Sequence, residues 1–391
     1  VSVSYFPKRN ALCAAHLTLR VIACVLLLST SAIAQKVGNA AEEDQYAFME
    51  VSRDVVVKSD VFEQIALHEL ILARDGKGVF IGSGLPETRR PSHVEFLSLK
   101  NTGLSQRVTQ IAHWQGLVGA PFACFWCNEA EGNNAKDNDT AGMEISILGA
   151  GPPHRVRIPS DPPISNIVAA NWSRGFVVER IEKPIEGKGG DNVERLRLWD
   201  IETAELLQEF ETVSSVAAVA LSPDGRYLAA AGLPLQTSQP SEQPPNSKSA
   251  ILTVWDTTTG EFVFARNMGY YVWNVQFSPS GDKLLCSGIA DQFVAGKGVG
   301  YTDVITLSRP GWSWRYENET ENWHPAAFYD ENRVVVEGTA SQVFLLDLRR
   351  SEVLTTLDTK QEGVAAFLIH DGFLLTGGFD GTLCRWRLEE R

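Results

Sequence analysis

Val216-Ala-Ala-Val-Ala-Leu-Ser222-Pro-Asp-Gly225-Arg-Tyr-Leu-Ala-Ala-Ala-Gly232 is followed, after a long connection, by Ile251-Leu-Thr-Val-Trp255-Asp256-Thr-Thr-Thr-Gly260-Glu-Phe-Val-Phe-Ala-Arg266. The pattern then restarts at Val272-Trp-Asn-Val-Gln-Phe-Ser278-Pro-Ser-Gly281-Asp-Lys-Leu-Leu-Cys-Ser-Gly288. Each unit reads as strand, tight turn, strand, loop, strand, turn, strand. In Ser-Pro-Asp-Gly and Ser-Pro-Ser-Gly, proline supplies the fixed φ of a turn and glycine the position where φ turns positive. The flanking runs are apolar over four to eight residues and rich in Val, Leu and Phe, as strands buried on both faces require. A repeat of this length predicts a radial or stacked all-β array.

Working outward, the last unit, Leu374-Leu-Thr376-Gly-Gly-Phe-Asp380-Gly-Thr-Leu-Cys-Arg-Trp386, carries the same second strand, turn and third strand. With Trp199-Asp200 and Trp255-Asp256, these stretches resemble the WD-repeat family, strongly over 194–290 and again over 363–387. The resemblance implies a β-propeller and a structural hydrogen-bond network in which Thr376, Asp380 and Trp386 match three of four members. The fourth is a His in the family. Here Gln361-Glu362-Gly363 stands in its place, so the network must be incomplete or altered.

Placing each unit by the end of its third strand gives Leu97, Leu148, Trp199, Trp255, Ser308, Leu346 and Trp386, at steps of 51, 51, 56, 53, 38 and 40 residues. The expected fold is therefore an all-β, seven-bladed propeller over 35–391 with four-stranded antiparallel blades. Residues 363–391 supply only three strands. The strand expected over Tyr46–Val56 completes that last blade and covers its open edge. Phe62–Ala73 suits an amphipathic helix as well as a strand, whereas the repeat register makes Ile201–Phe210 strand-like.

Residues 1–34 read as a signal peptide: Lys8, Arg9 and Arg20 precede the apolar run Val21–Leu28, and Ala32 and Ala34 suit a cleavage site. The run is too short for a membrane span. The expected location is outside the cytoplasm, periplasmic or extracellular. Val21-Ile-Ala-Cys24 resembles a lipoprotein box, but Arg20 interrupts its apolar approach. Past the cut four cysteines remain, Cys124, Cys127, Cys286 and Cys384, too few for a disulfide framework. Asn138, Asn171 and Asn318 begin glycosylation sequons.

The 391 residues carry a formal charge of −13, which repels nucleic acid phosphates. The composition, 44% hydrophobic and 21% charged, is that of a globular chain. The expected partner is a protein or another large ligand, with no nucleic acid and no membrane span. Its site is expected on the face carrying the long connections 85–92, 129–142, 183–192, 233–249 and 290–301. Trp114, Tyr270, Tyr271, Trp323 and His324 lie in or near blade-to-blade connections on that side. They are candidate anchors, with packing between blades as the alternative reading.

Catalytic patterns are weak. His68-Glu69 lacks a second His, since Leu72 stands there. Gly296-Lys-Gly-Val-Gly300 lacks the end of a phosphate loop, and Gly82-Ser83-Gly84 has the wrong spacing for a nucleophile elbow. His93-Val-Glu95 with Cys124-Phe-Trp-Cys127 resembles a zinc-deaminase signature, in which His and two Cys hold zinc and Glu moves protons. Against it, Ala123 replaces the usual Pro, and His93–Lys100 looks like a third strand. No ring of carboxylates or His marks an axial pocket. The expectation is a non-enzymatic scaffold with no cofactor and no metal; a zinc-dependent deaminase is the alternative.

Overall fold

The computed structural model describes residues 46–390 except 56–65, 73–77, 85–92, 99–103, 109–122, 127–142, 148–153, 160–164, 185–191, 235–248, 291–297, 321–324 and positions 172, 312 and 340. The signal segment 1–34, Trp114, Cys127, Asn138, Trp323, His324 and most of the five long connections lie outside these residues.

The described residues form strands and turns without a helix, so none is long and apolar enough to cross a membrane. Strand β1 spans Tyr46–Val55. Sheet I holds β2 (Ala66–Leu72), β3 (Gly78–Gly84), β4 (His93–Ser98) and β5 (Leu104–Val108). Sheet II holds three strands, β6 (Ala123–Trp126), β7 (Met143–Ile147) and β8 (His154–Ile158). Sheet III contains β9 (Ser165–Asn171), β10 (Phe176–Pro184), β11 (Asn192–Asp200) and β12 (Leu206–Glu211). Sheet IV contains β13 (Ser214–Leu221), β14 (Tyr227–Pro234), β15 (Ile251–Asp256) and β16 (Phe262–Asn267). Sheet V contains β17 (Tyr271–Phe277), β18 (Lys283–Ile289), β19 (Gly298–Thr306) and β20 (Ser313–Thr320). Sheet VI contains β21 (Ala326–Phe328), β22 (Arg333–Glu337), β23 (Gln342–Asp347) and β24 (Glu352–Asp358). Sheet VII joins β25 (Val364–His370), β26 (Phe373–Gly378) and β27 (Thr382–Glu390) to β1 at its edge.

All the pairings are antiparallel, as short connections between successive strands dictate. Sheets III to VII pack face to face in chain order and sheet VII packs on sheet I, which makes the arrangement propeller-like. Phe210 of sheet III meets Trp255 of sheet IV at 5.7 Å between ring centroids, inside a cluster drawn from both sheets. Equivalent apolar clusters join IV to V, V to VI and VI to VII. A further one joins Leu375 and Leu383 of sheet VII to Leu70, Val79 and Ile81 of sheet I. Middle strands such as β14 and β18 are therefore buried on both faces. The ambiguous Phe62–Ala73 stretch contains the strand β2, which places Leu70 in that last interface.

The quoted turns repeat in detail. Gly225 donates its N–H to Ser222 O at 2.8 Å and Gly281 donates to Ser278 O at 2.9 Å, with φ of 74° and 81°. Both serines are buried, and their hydroxyls accept Tyr227 N and Lys283 N. The first strand of each of these sheets bulges near its start, opposite Gly232 and Gly288. A Cβ on either glycine would sit 1.7 Å from the carbonyl oxygen of Ser215 or Tyr271, so no other residue fits.

A second bulge lies between third and outer strands, opposite Leu97, Trp199, Trp255, Leu346 and Trp386. These are five of the seven positions expected to end third strands. At Trp386 the bulged partner is β1, which thus reproduces the outer-strand register of sheets I, III, IV and VI. Sheet V corrects the register: Ile305, opposite Leu284, takes the place that Trp255 holds opposite Leu228, three residues before the expected Ser308. No Trp-Asp pair marks it, yet Ile305 is buried against sheet IV as Trp255 is against sheet III. Leu148 lies outside the described residues.

The Asp that follows Trp199, Trp255 and Leu346 caps the turn into the outer strand. Asp200, Asp256 and Asp347 each accept two backbone N–H groups, at 2.7 to 3.2 Å. Four residues on, the chain turns left-handed at Ala204, Gly260 and Ser351, with φ of 56°, 74° and 57°. Only one of the three is glycine. A Cβ in this region costs about 1–2 kcal/mol, partly offset by glycine's greater freedom in the unfolded chain, about 0.4–1 kcal/mol. Ala204→Gly is expected to raise stability by about 0.5 kcal/mol, whereas Ser351→Gly would also remove the hydroxyl that accepts the Trp314 indole N–H at 3.1 Å and is not expected to gain. A rise in the urea midpoint at unchanged slope would register it.

Candidate functional site

Sheet VII contains the network that the resemblance implies, with a changed member. The Trp386 indole N–H donates to Thr376 Oγ1 at 3.0 Å, and that hydroxyl donates to Gln361 Oε1 at 2.7 Å. Gln361 Nε2 donates to Thr382 Oγ1 at 3.0 Å, and Thr382 Oγ1 donates to Asp380 Oδ1 at 2.6 Å. Every member both donates and accepts except the two ends, so the bonds polarise one another along the chain. The network is altered, and it is complete: Gln361 and Thr382 together span the gap. A glutamine does not titrate, whereas a histidine at this place would change charge between pH 5 and 8. Gln361→Ala leaves buried Thr376 without its acceptor, and a stability loss of about 1–3 kcal/mol in equilibrium unfolding is expected.

Sheet III solves the same problem with a buried carboxylate. Trp199 donates its indole N–H to Glu179 Oε2 at 2.9 Å, and Glu179 stands in the register place that Thr376 holds relative to Trp386. In sheet IV that place is Ala230.

Of the five candidate anchors, the described residues contain two, and they part company. Tyr270 is 1% exposed and faces the interior, which corrects its reading as a surface anchor. Its phenol oxygen lies 3.1 Å from both Cys286 O and Asp303 Oδ2. Tyr271 is half-buried on β17 and stacks on Trp273, ring centroids 5.5 Å apart and 4° from parallel.

Tyr270 belongs to a cluster that sequence reasoning missed. Asp303, fully buried on β19, receives Arg315 Nε at 2.8 Å and Nη2 at 2.7 Å in a fork-on-fork pair. Arg315 Nη2 also donates to Met268 O at 3.2 Å, and its guanidinium lies over the rings of Tyr270 and Tyr301. Burial, then the Asp303 charge, pushes the Tyr270 phenol well above its ordinary pKa. The hydrogen bonds to Asp303 hold Arg315 protonated. A neutral phenol, a carboxylate and a guanidinium that answer one another form a clamp. It fixes the Asn267–Tyr271 connection between sheets IV and V.

His93 and Glu95 lie on β4, the third strand of sheet I, and Cys124 on β6; their side chains and Cys127 lie outside the described residues. Among the described residues no group of three His, Cys, Asp or Glu is placed to hold a metal. Cys286 and Cys384 are free and buried; burial pushes Cys286 well above the usual thiol range and Cys384 up to about 12. Neither forms thiolate near neutrality. Iodoacetamide at pH 8 is expected to leave both unmodified in the native protein and to alkylate both in guanidinium chloride, read by peptide mass. Two sequons are occupied by the fold itself. Asn171 Nδ2 donates to Ser222 O at 2.6 Å and Pro223 O at 3.0 Å, and Asn318 Nδ2 donates to Glu337 O at 2.9 Å.

The second-to-third strand connections in sheets I, III, IV and V run over 85–92, 185–191, 235–250 and 290–297, whereas sheets VI and VII need only 338–341 and 379–381; in the three-stranded sheet II the connection 127–142 joins β6 to β7. Compared with known proteins, the chain matches no protein-family model and no curated relative.

Proposed function

We propose that this chain is a seven-bladed propeller of the WD-repeat type, closed by β1. It acts outside the cytoplasm as a non-enzymatic scaffold that binds a protein or another large ligand. The observation that carries the reading is the placement of its long connections. Four of the five join the second strand to the third in sheets I, III, IV and V, and in antiparallel sheets that step emerges at one end. Loops gathered at one end of a rigid β scaffold are where recognition surfaces are built. The stretch 235–248, rich in Pro, Ser and Gln, adds contact area without a core of its own. Seven sheets, the repeated bulge and the sharing of one sheet by β1 and β27 support the ring. The charge of −13 favours a ligand other than nucleic acid.

Affinity capture from the exported fraction tests this, comparing the intact chain with one lacking 235–248. A partner retained by the first and lost by the second is expected. One tightly held zinc per chain, lost on Cys124→Ser, would sink it in favour of the deaminase.

A further inference from the structure

We propose that the outer rim shared by sheets III and IV is a second docking surface, built for a cationic segment of another protein. This rests on the scaffold reading but uses the turns at the opposite ends of β11 and β15 from the long connections 185–191 and 235–250. Leu206 and Leu207 on β12 are 44% and 42% exposed, and Phe262 and Val263 on β16 are 61% and 41% exposed. They are four of the seven large apolar side chains that are exposed among the described residues. The outer-strand bulge explains how both members of each pair reach water. Opposite Trp199 and Trp255 two successive residues face one, so the alternation that would bury every second side chain is broken. The equivalent pair in sheet VI, Val353 and Leu354, is half-buried.

The two exposed pairs adjoin. A Cβ on Gly260, two residues before Phe262, would lie 2.2 Å from Gln208 Nε2, so the turn into β16 rests on β12 beside Leu207. The patch therefore spans two sheets, and both strands are sheet edges with unpaired backbone groups.

Charge selects the occupant. Glu202, Glu205 and Glu261 are exposed beside the patch and make no ion pair among the described residues. Of the neighbouring cations, Arg195 pairs with Glu209 and Glu211, Arg197 with Glu209 and Arg226 with Asp256, while Arg266 on β16 donates to Pro310 O and Ser313 Oγ and Arg174 lies over the Phe176 ring. A second copy of a chain with charge −13 would bring the same acidic border, and anionic lipid would be repelled. An extended segment alternating apolar side chains with Lys or Arg satisfies the apolar strip, the acids and the strand edges together.

The test uses the full chain and a short fluorescein-labelled peptide of alternating leucine and lysine, read by anisotropy against salt. Binding is expected to weaken by at least about tenfold in Leu206→Ser/Phe262→Ser, the loss when apolar side chains of this size are no longer covered. Glu205→Gln/Glu261→Gln is expected to weaken binding and flatten its salt dependence. All four side chains are exposed, so both variants should keep the parent melting temperature. Serine-lysine and leucine-glutamate peptides are expected to bind far more weakly. Equal binding by the Ser variant, or by the serine-lysine peptide, overturns the proposal. A dimer in sedimentation, or adhesion to phosphatidylserine vesicles, that disappears in the Ser variant overturns it too, by assigning the rim to another occupant. The chain lacking 235–248 should bind the peptide unchanged, so failure of the loop-face reading and failure of this one are told apart.

Discussion

Deleting Tyr46–Val55 while keeping the rest of the chain is expected to abolish cooperative folding, although it removes only one edge strand. That strand is paired with β27 at nine positions, and β27 carries the buried Trp386 and Cys384. Phe48 packs edge-on against Tyr329 of sheet VI at 6.2 Å, and Arg53 Nη2 donates to Thr359 O at 2.7 Å. The strand thus seals sheet VII and ties it to the chain entering from sheet VI. Its loss uncovers a long, unpaired edge of nine residues, which invites intermolecular pairing. The cost should exceed about 4 kcal/mol, the range reserved for exceptional lesions. Soluble yield, thermal unfolding followed by circular dichroism and sedimentation measure it. A deletion that stays monomeric with the parent melting temperature would remove the case for closure.

That strand was legible because the repeat leaves its last unit one strand short, and because a Trp-Asp or Ser-Pro-x-Gly landmark fixes register wherever it occurs. Where the landmark is missing, position slips. Sheet V has Ile305-Thr306 in place of Trp-Asp, and only pairing register and burial show that Ile305 fills the same gap. Side-chain chemistry is less legible than strand order. Gln361 lies next to Gly363 with nothing local to announce that it substitutes for a ring. Its role comes from contacts with Thr376 and Thr382, 15 and 21 residues away. Tyr270 looks like a loop aromatic in Met268-Gly-Tyr-Tyr-Val. Its fate is set by Asp303 and Arg315, which reach it only after the sheet is formed. The exposed rim at Phe262 was hidden for the opposite reason, since Phe-Val-Phe reads as core until the bulge places two of its members outside.

The clamp around Asp303 makes an asymmetric prediction. Asp303 is fully buried, whereas Arg315 keeps 36% of its side-chain surface in water. Arg315→Met strands a carboxylate with only a phenol beside it and is expected to cost about 3–5 kcal/mol. Asp303→Leu leaves a guanidinium that turns toward solvent, so its cost is expected to be smaller, about 1–2 kcal/mol. The double variant should be more stable than Arg315→Met alone, because two buried charges leave together and an apolar pair fills their place. Denaturant unfolding of the four proteins gives the coupling directly; additive costs would mean that the pair does not act as a unit. Tyr270 adds a pH signature. Its folded pKa is raised above the ordinary value of 10.0, so its contribution is complete below about pH 10 and is lost as pH rises through the raised value. Tyr270→Phe should therefore be less stable than the parent at pH 7, and the gap should narrow in alkali.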